Sequence, residues 1–475
     1  TAENAMNKKL ITLAVAAAMT APAAALAEAT LYGKLHVSLD YAEVTNVGPL
    51  DANGRTTLNQ FVLQRDPAGN LVRNPVTGTP VVVRNPNIPV QDFKGWGMGG
   101  TNYIPGVNRA SRVGVKGSED LGGGLKAIYQ VEFGVNLSDT NTNAVSGADA
   151  ITYRNTFVGL AGNFGTFLLG RHDTPMKIST GKLDLFADTM ADYNGTVGFR
   201  DLRVDHTVAY ISPSWSGFQF AGAIIPPGGA TAGSGLNVNS DSIAEGYSLA
   251  AIYSNGPFYG SVAYESLGNE LFNDQDTSLD GNNCPYRLSP DGGLDYSSPY
   301  DGSGGGFGCD YQSEDSTAWR VGLGLLDWNG FSLTGIYENR DEEPGSGVFR
   351  GFTDPTDPTR SWRLPARSSE VELWQIQAGY AFGNNMIKAM YGQADYSGDI
   401  NVGSAVVRIN NGPAFPVQLD RTIDRDVETW GIGFDHNFSK RTKAYALYTE
   451  VSDDASDVIA GSQWSGFSLG MVHSF

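Results

Sequence analysis

The sequence predicts an all-β protein, a sixteen-stranded antiparallel transmembrane β-barrel, and three observations carry that prediction. Apolar and polar residues alternate with a period of two along sixteen segments, as they do where a strand turns one face to an apolar medium and the other to water. The links between these segments alternate strictly in length, short then long. The 475 residues include 60 glycines and only 17% charged residues, a composition suited to many strands and tight turns.

Charge narrows the function classes. Acids outnumber bases 51 to 32, a formal charge of −19, so a phosphate backbone would find little to neutralise it and nucleic-acid binding is excluded. Phe, Tyr and Trp make up 11% of the chain and recur along its whole length, which argues against disorder.

The chain divides into residues 1–5, upstream of Met6, an export signal over 6–27, and the barrel over 28–475. Lys8 and Lys9 form the charged head of the signal, Leu10 to Met19 its apolar stretch, and Ala25-Leu26-Ala27 its small-residue cleavage site. Beyond it no stretch approaches the ~18 continuous apolar residues of a membrane helix. Crossing a bilayer then falls to strands, closed into a barrel so that every backbone group is paired.

The first strand sets the pattern: Leu31, Leu35, Val37, Leu39 and Tyr41 face one way, and Tyr32, Lys34, His36, Ser38 and Asp40 the other. The same alternation runs through Leu125 to Phe133, Trp374 to Phe382 and Trp430 to Phe438. Segments begin near residues 30, 109, 123, 152, 164, 203, 216, 243, 257, 316, 330, 370, 385, 426, 441 and 463. Short turns fall at 119–123, 162–163, 213–215, 255–256, 328–329, 383–384 and 438–440. The long links are 44–108, 138–151, 173–202, 227–242, 268–315, 340–369, 397–425 and 452–462. A soluble sandwich has no reason to sort its loops in this way, whereas outer-membrane barrels carry short periplasmic turns and long outer loops.

Several motifs are accounted for by that pattern. Gly466-Phe467-Ser468-Leu469-Gly470 matches G-x-S-x-G, but it lies inside an alternating strand with no helix to form a nucleophile elbow. Gly95-Trp96-Gly97-Met98-Gly99-Gly100 matches G-x-G-x-x-G without a preceding strand or following helix and reads as a flexible loop. His36, His172, His206, His436 and His473 show no metal-ligand spacing. No cofactor is expected, although the acidic fifth link, with Asp280, Asp291, Asp295, Asp301, Asp310, Glu314 and Asp315, offers oxygen ligands of the kind Ca²⁺ takes. Cys284 and Cys309 both fall in that link, and an oxidising compartment favours a disulfide between them.

Leu31-Tyr32-Gly33-Lys34, the run Ser111-Arg112-Val113-Gly114-Val115-Lys116-Gly117-Ser118-Glu119-Asp120-Leu121-Gly122, Arg154 through Phe157-Val158-Gly159-Leu160, Gly170-Arg171-His172-Asp173-Thr174-Pro175 and the terminal Phe475 together resemble the trimeric general porins of Gram-negative bacteria. The resemblance covers essentially all of 28–475 in strand order and departs from the family in the length of the first loop, 44–108. It implies a homotrimer in outer-membrane lipid and lipopolysaccharide, put there by the barrel assembly machinery with Phe475 as the assembly signal. It also implies a third loop folded into the lumen.

Carried over in the same way, Asp184, Asp188 and, less closely matched, Asp192 stand where the family's loop acids sit. Lys34, Arg112, Arg154 and Arg203 stand where its basic wall sits, on the water-facing register opposite Leu35, Val113, Phe157 and Val208. The expected function is passive diffusion of small hydrophilic solutes and ions through a charged constriction, with no enzymatic chemistry, because no nucleophile and base pair off. A solute-selective porin and an adhesin or receptor working through the first loop remain open alternatives.

Two outcomes are expected. Intact mass of the exported protein begins at Glu28, and a retained Met6 would refute the signal. Non-reducing proteolysis yields a peptide pair joined through Cys284 and Cys309, and full alkylation of both without reductant would refute the bridge.

Overall fold

The structure, a computed structural model, describes residues 29–47, 61–63, 66–68, 70, 72, 82–84, 91–98, 109–137, 151–226, 242–268, 287–288, 294–295, 316–341, 350–354, 357–364, 370–407, 415–455 and 463–475. Sixteen strands form the barrel: β1 (Thr30–Val47), β2 (Arg112–Gly122), β3 (Leu125–Val135), β4 (Ile151–Gly162), β5 (Gly165–Asp173), β6 (Arg203–Ile211), β7 (Phe218–Ile225) and β8 (Gly246–Asn255) in its first half. The second half is β9 (Phe258–Leu267), β10 (Ser316–Trp328), β11 (Phe331–Asp341), β12 (Glu370–Phe382), β13 (Asn385–Val407), β14 (Phe415–Asn437), β15 (Thr442–Ala455) and β16 (Gln463–Ser474).

Each strand pairs antiparallel with the next, and β16 returns to β1 from Lys34 opposite Ser474 to Thr45 opposite Gln463. Gly33 and Phe475 exchange backbone hydrogen bonds of 3.1 Å in both directions and close the ring at its lower end. The Phe475 ring lies over Gly33, where a Cβ would stand 2.4 Å from it, so this position in Leu31-Tyr32-Gly33-Lys34 has to be glycine.

The outer face is the apolar one. Leu31, Leu39, Phe167, Leu169, Leu249, Leu323, Ile376, Ile432 and Met471 all stand exposed on it, an arrangement that hydrocarbon tolerates and water does not. Toward the rim with the long links, Trp319–Tyr337, Trp374–Tyr391 and Trp430–Tyr448 meet as tilted ring pairs at 4.9, 5.6 and 5.3 Å between ring centroids. The Tyr337 hydroxyl donates to Glu372 at 3.0 Å and that of Tyr391 to Glu428, as expected of amphipathic rings at a membrane–water boundary. At the opposite rim the turns are tight. Asn329 and Gly330 both have positive φ, 51° and 88°, the two-residue geometry whose twist matches a hairpin.

Three features differ from the sequence reading. β13 and β14 run on as one long hairpin, with Ser397–Val407 paired to Phe415–Asp424 apart from a shift between Asn401 and Ser404, so most of the expected 397–425 link is strand. The second barrel strand comes in two pieces. Arg112–Gly122 pairs with β1 only over Thr30–Lys34, and above it the separate strand Gln91–Met98 pairs with Leu39–Val47. Gly95 to Met98 therefore belong to the wall and not to a flexible loop, and the Trp96 ring meets that of Tyr41 in a tilted contact at 5.3 Å.

The third difference is a bulge. Val131 faces Thr156 and Phe133 faces Tyr153, so Arg154 and Asn155 together oppose Glu132. The extra residue turns Phe157 inward against Leu168 and Ala209, whereas the alternation alone puts it on the outer face.

Candidate functional site

The residues between β5 and β6 pack against the inner wall. Thr174 accepts the Lys177 N–H at 3.4 Å and Pro175 occupies the first turn, which start the short helix α1 (Pro175–Thr180). Its Met176 is buried against Ala250, Ala263 and Ala318, small inward side chains of β8, β9 and β10. The Met176 N–H donates to Ser248 Oγ at 3.1 Å and the Tyr259 hydroxyl to the Ser179 carbonyl at 2.8 Å.

Beyond α1 the segment follows a track of inward glycines. Leu183 lies over Gly322 and Gly324, where a Cβ would stand 2.5 and 2.6 Å from its methyl groups. Leu185 lies 3.2 Å from the corresponding point at Gly379, Phe186 3.0 Å from that at Gly433, and Met190 2.5 Å from that at Gly466. Alternate strands β10, β12, β14 and β16 thus each withhold a side chain where the segment crosses them. Leu183, Phe186 and Met190 are essentially fully buried there, and burial of each large apolar side chain contributes about 1.5–3 kcal/mol to docking the segment.

Polar groups fix the register of this packing. Thr334 Oγ1 donates to the Leu183 carbonyl at 2.8 Å, and Lys388 Nζ to that of Leu185 at 2.7 Å. A second short helix, α2 (Tyr193–Thr196), is capped by Asp192, and Tyr193, Val197 and Phe199 join the buried cluster that includes Val371, Leu373, Val427 and Trp464 of the wall. The fully buried Arg320 holds the returning leg, donating to Thr180 Oγ1 at 2.8 Å, Asp201 Oδ1 at 3.0 Å and the Arg200 carbonyl at 2.6 Å while pairing with Glu338.

This arrangement covers much of the inner face from β8 round to β16. On the remaining arc, Lys34, Arg112, Arg154 and Arg203 of β1, β2, β4 and β6 come together as a partly exposed basic cluster. Glu132 Oε1 lies 2.7 Å from Arg154 Nε, and its Oε2 lies 3.8 Å from Arg112 Nε and accepts the Tyr32 hydroxyl at 2.9 Å. Asp173 Oδ1 lies 2.9 Å from Arg203 and 3.3 Å from Lys177. Arg203 Nε also donates to Asn155 Oδ1 at 2.6 Å.

The three expected loop acids separate. Asp188 is the one that reaches the basic wall: it pairs with Lys34 and lies 3.9 Å from Arg112. It sits at φ 62°, a left-handed conformation that short polar residues such as Asp tolerate, at the tip of a turn whose N–H donates to Asp192 Oδ2 at 2.6 Å.

Asp184 does not line the gap. Its Oδ1 accepts the Phe186 N–H at 2.8 Å and Gln377 Nε2 at 2.9 Å, and its Oδ2 the Tyr193 N–H at 3.3 Å, which makes it a buried brace of the turn. Asp192 is likewise spent on backbone, accepting the Asp188 and Asn194 N–H groups. Burial pushes the Asp184 carboxyl up to about 6, and burial together with the neighbouring Asp184 and Asp188 raises Asp192 well above its ordinary value. For Asp188 burial also opposes the charge, but Lys34 and Arg112 outweigh it and hold the group below its ordinary value.

Sequence reading missed Glu132, Asp173 and Lys177, which are as much part of the cluster as the arginines. Glu132 was visible on the polar register of its strand. The glycine track also left a trace, since Gly322, Gly324, Gly379, Gly433 and Gly466 all fall on inward positions of alternating strands. Cys284, Cys309 and the acids of the fifth link, apart from the backbone of Asp295, lie outside the described residues. Among the described residues no group of three or more His, Cys, Asp or Glu is placed to hold a metal ion.

Gly322→Leu tests the track. Overpacking costs about 1–3 kcal/mol and pushes Leu183 off the wall into the lumen, so single-channel recordings should show a smaller, noisier open conductance. The outward Leu323→Ile serves as the unaffected control. A normal conductance in Gly322→Leu would mean that the segment does not rest on these glycines.

Comparison with known proteins places the chain. A family model described as Gram-negative porin matches residues 12–456. The major outer membrane protein P.IB of Neisseria gonorrhoeae is 31% identical over 158 residues, 32% of this chain and 40% of that protein. An outer membrane porin protein of Bordetella pertussis is 31% identical over 202 residues, 39% of this chain and 49% of that protein. A major outer membrane protein P.IA of Neisseria meningitidis is 28% identical over 276 residues, 55% and 60% of the two chains. The chain thus spans about half the length of the curated relatives it matches. Among solved structures, the anion-selective porin from Comamonas acidovorans superposes with a TM-score of 0.51 at 18% identity, covering 94% of this chain and 99% of that one, a likeness of fold.

Proposed function

The chain belongs to the Gram-negative porin family, and we propose that it forms a water-filled channel through which small hydrophilic solutes and ions diffuse passively. It is an outer-membrane protein, and its relatives and fold are those of channels rather than enzymes. In this reading the rim of tight turns faces the periplasm and the rim of long links faces outward. The working assembly is a homotrimer, inserted by the barrel assembly machinery and surrounded by lipid and lipopolysaccharide.

One observation carries the proposal further, toward anions. Among the described residues, the partly exposed Lys34, Arg112, Arg154, Arg203 and Lys177 pair with three acids, Glu132, Asp173 and Asp188. Two of the expected counter-charges, Asp184 and Asp192, are turned away into the loop's own hydrogen bonds. A permeating ion passes these groups at a distance comparable with the ~8 Å Debye length at physiological salt, so the surplus positive charge is only partly screened. The mechanism is then diffusion limited by diameter and biased by a local positive field.

The test is the reversal potential in a planar bilayer under a salt gradient. Asp188→Asn removes the acid paired with Lys34 and should move the channel further toward anions. Arg112→Gln with Arg154→Gln should move it toward cations and enlarge the open conductance, because two long cationic side chains become shorter and neutral. Asp184→Asn, buried away from the gap, should leave the potential near that of the wild type. Unchanged potentials in the first two variants would mean that these residues do not govern permeation.

A further inference from the structure

We propose that the outer wall carries a site for an anionic glycerophospholipid, with its acyl chain in an apolar hollow over β11–β16 and its headgroup on the basic turn that joins β14 to β15. The inference goes beyond the channel reading, since it concerns the outer face of the barrel and not the lumen.

The hollow follows from side-chain size on neighbouring rungs of the sheet. One outward rung runs Ala378–Ala389–Ile432–Tyr448–Phe467, and the next toward the tight turns runs Phe331–Tyr380–Ile387–Phe434–Ala446. Where the alanines fall the backbone is thinly covered, and where the rings fall the surface rises. The result is an open, almost wholly apolar hollow of about 610 Å³, bounded by Phe331, Tyr380, Phe434 and Tyr448. Sites for small molecules commonly occupy ~300–1,000 Å³.

Polarity rises in steps from the hollow toward the turns. On the following rung His436 Nδ1 lies 2.8 Å from Asn385 Oδ1, and on the one after it Thr442 Oγ1 lies 2.9 Å from His473 Nδ1. Between the two histidines, Ala446, Ala444 and Thr442 of β15 keep the outer surface low, so the hollow opens toward the turn. That turn, Phe438-Ser439-Lys440-Arg441, sets two exposed cations at the end of the lane. The other six tight turns, read between the ends of their strands, hold neither Lys nor Arg. The cationic turn therefore coincides with the hollow and with no other part of the ring.

The length of the lane matches one leaflet. From Thr442 to Tyr448 the strand advances about 20 Å, which is about 15 Å of depth at a tilt near 40°. Half of the ~30 Å hydrocarbon core is the same distance. A glycerophospholipid presents matching chemistry in the same order: an acyl chain for the hollow, ester and glycerol oxygens for the His–Asn and Thr–His rungs, and a phosphate for Lys440 and Arg441. The hollow alone would not select a lipid, because every acyl chain is equally apolar. Charge supplies the selection, about fivefold for each basic side chain beside an anionic headgroup. A zwitterionic headgroup gains less, since its own ammonium offsets the phosphate.

The test is native mass spectrometry of the full protein released from vesicles of equal phosphatidylglycerol and phosphatidylcholine with identical acyl chains. The wild type should retain phosphatidylglycerol about tenfold over phosphatidylcholine. Lys440→Gln with Arg441→Gln should abolish that preference. Ala446→Trp, which fills the hollow, should lower retention of both lipids. Single-channel conductance checks that each variant has folded, because none of these side chains touches the lumen.

Equal retention of the two lipids by the wild type would overturn the site, as would a preference that survives the loss of both cations. A changed oligomeric state in Ala446→Trp with lipid retention unaltered would also overturn it, by assigning the hollow to a second copy of the chain.

Discussion

Everything in this molecule depends on one constraint, that no backbone N–H or C=O in the bilayer is left without a partner. A closed ring of strands satisfies it, and the ring is closed at a single seam, where β1 meets β16 from Lys34 to Thr45 and Gly33 exchanges hydrogen bonds with Phe475. Closure reverses the usual hydrophobic logic. The outward residues already face an apolar medium and gain little by packing together, so a conventional core can form only inside the ring. It forms where Leu183, Phe186, Met190, Tyr193 and Phe199 meet the inner faces of the wall.

That internal core explains how charge is distributed along the third link. A segment pressed against a wall must satisfy its own backbone, and Asp184 and Asp192 do so by accepting N–H groups from Phe186, Tyr193, Asp188 and Asn194. Their carboxyl oxygens are used to hold the turn that presents Asp188. Asp188 reaches Lys34 because the turn is braced in this way, and its left-handed φ is tolerable because it is an aspartate. Shape is thus maintained at the expense of counter-charge, which leaves the basic wall in excess.

The sixteen strands were legible because a strand with lipid on one side and water on the other writes its period of two into the sequence. Legibility failed wherever that contrast ends. β13 and β14 continue past the apolar belt, paired from Ser397 to Val407 and from Phe415 to Asp424, where charged and polar residues such as Asp399, Asn401, Asp420 and Arg421 break up the long apolar pattern although pairing does not stop. Gln91–Met98 escaped notice because glycines at 95 and 97 dilute its alternation, and only its register with Leu39–Val47 reveals it as wall. The bulge opposite Glu132 changes the facing of Phe157 without changing a residue type. Of the candidate site, the basic residues were legible from their register. The roles of Asp184 and Asp188 were not, since four residues on an irregular turn can point anywhere.

The net charge of −19 gives no guide to what such a channel prefers. Acids such as Glu370, Glu372, Asp426 and Glu428 stand exposed, and Glu372 and Glu428 accept hydrogen bonds from the tyrosines of the outer aromatic belt. These acids stand exposed, where physiological salt screens surface charges over about 8 Å. A solute in the gap responds instead to Lys34, Arg112, Arg154, Arg203 and Lys177 and to the three acids paired with them. The sign of the field in the gap is therefore set by the internal packing that turns Asp184 and Asp192 away from it. On the proposed reading, selectivity follows from how the third link is buried, and a chain that is acidic as a whole can still carry a basic passage.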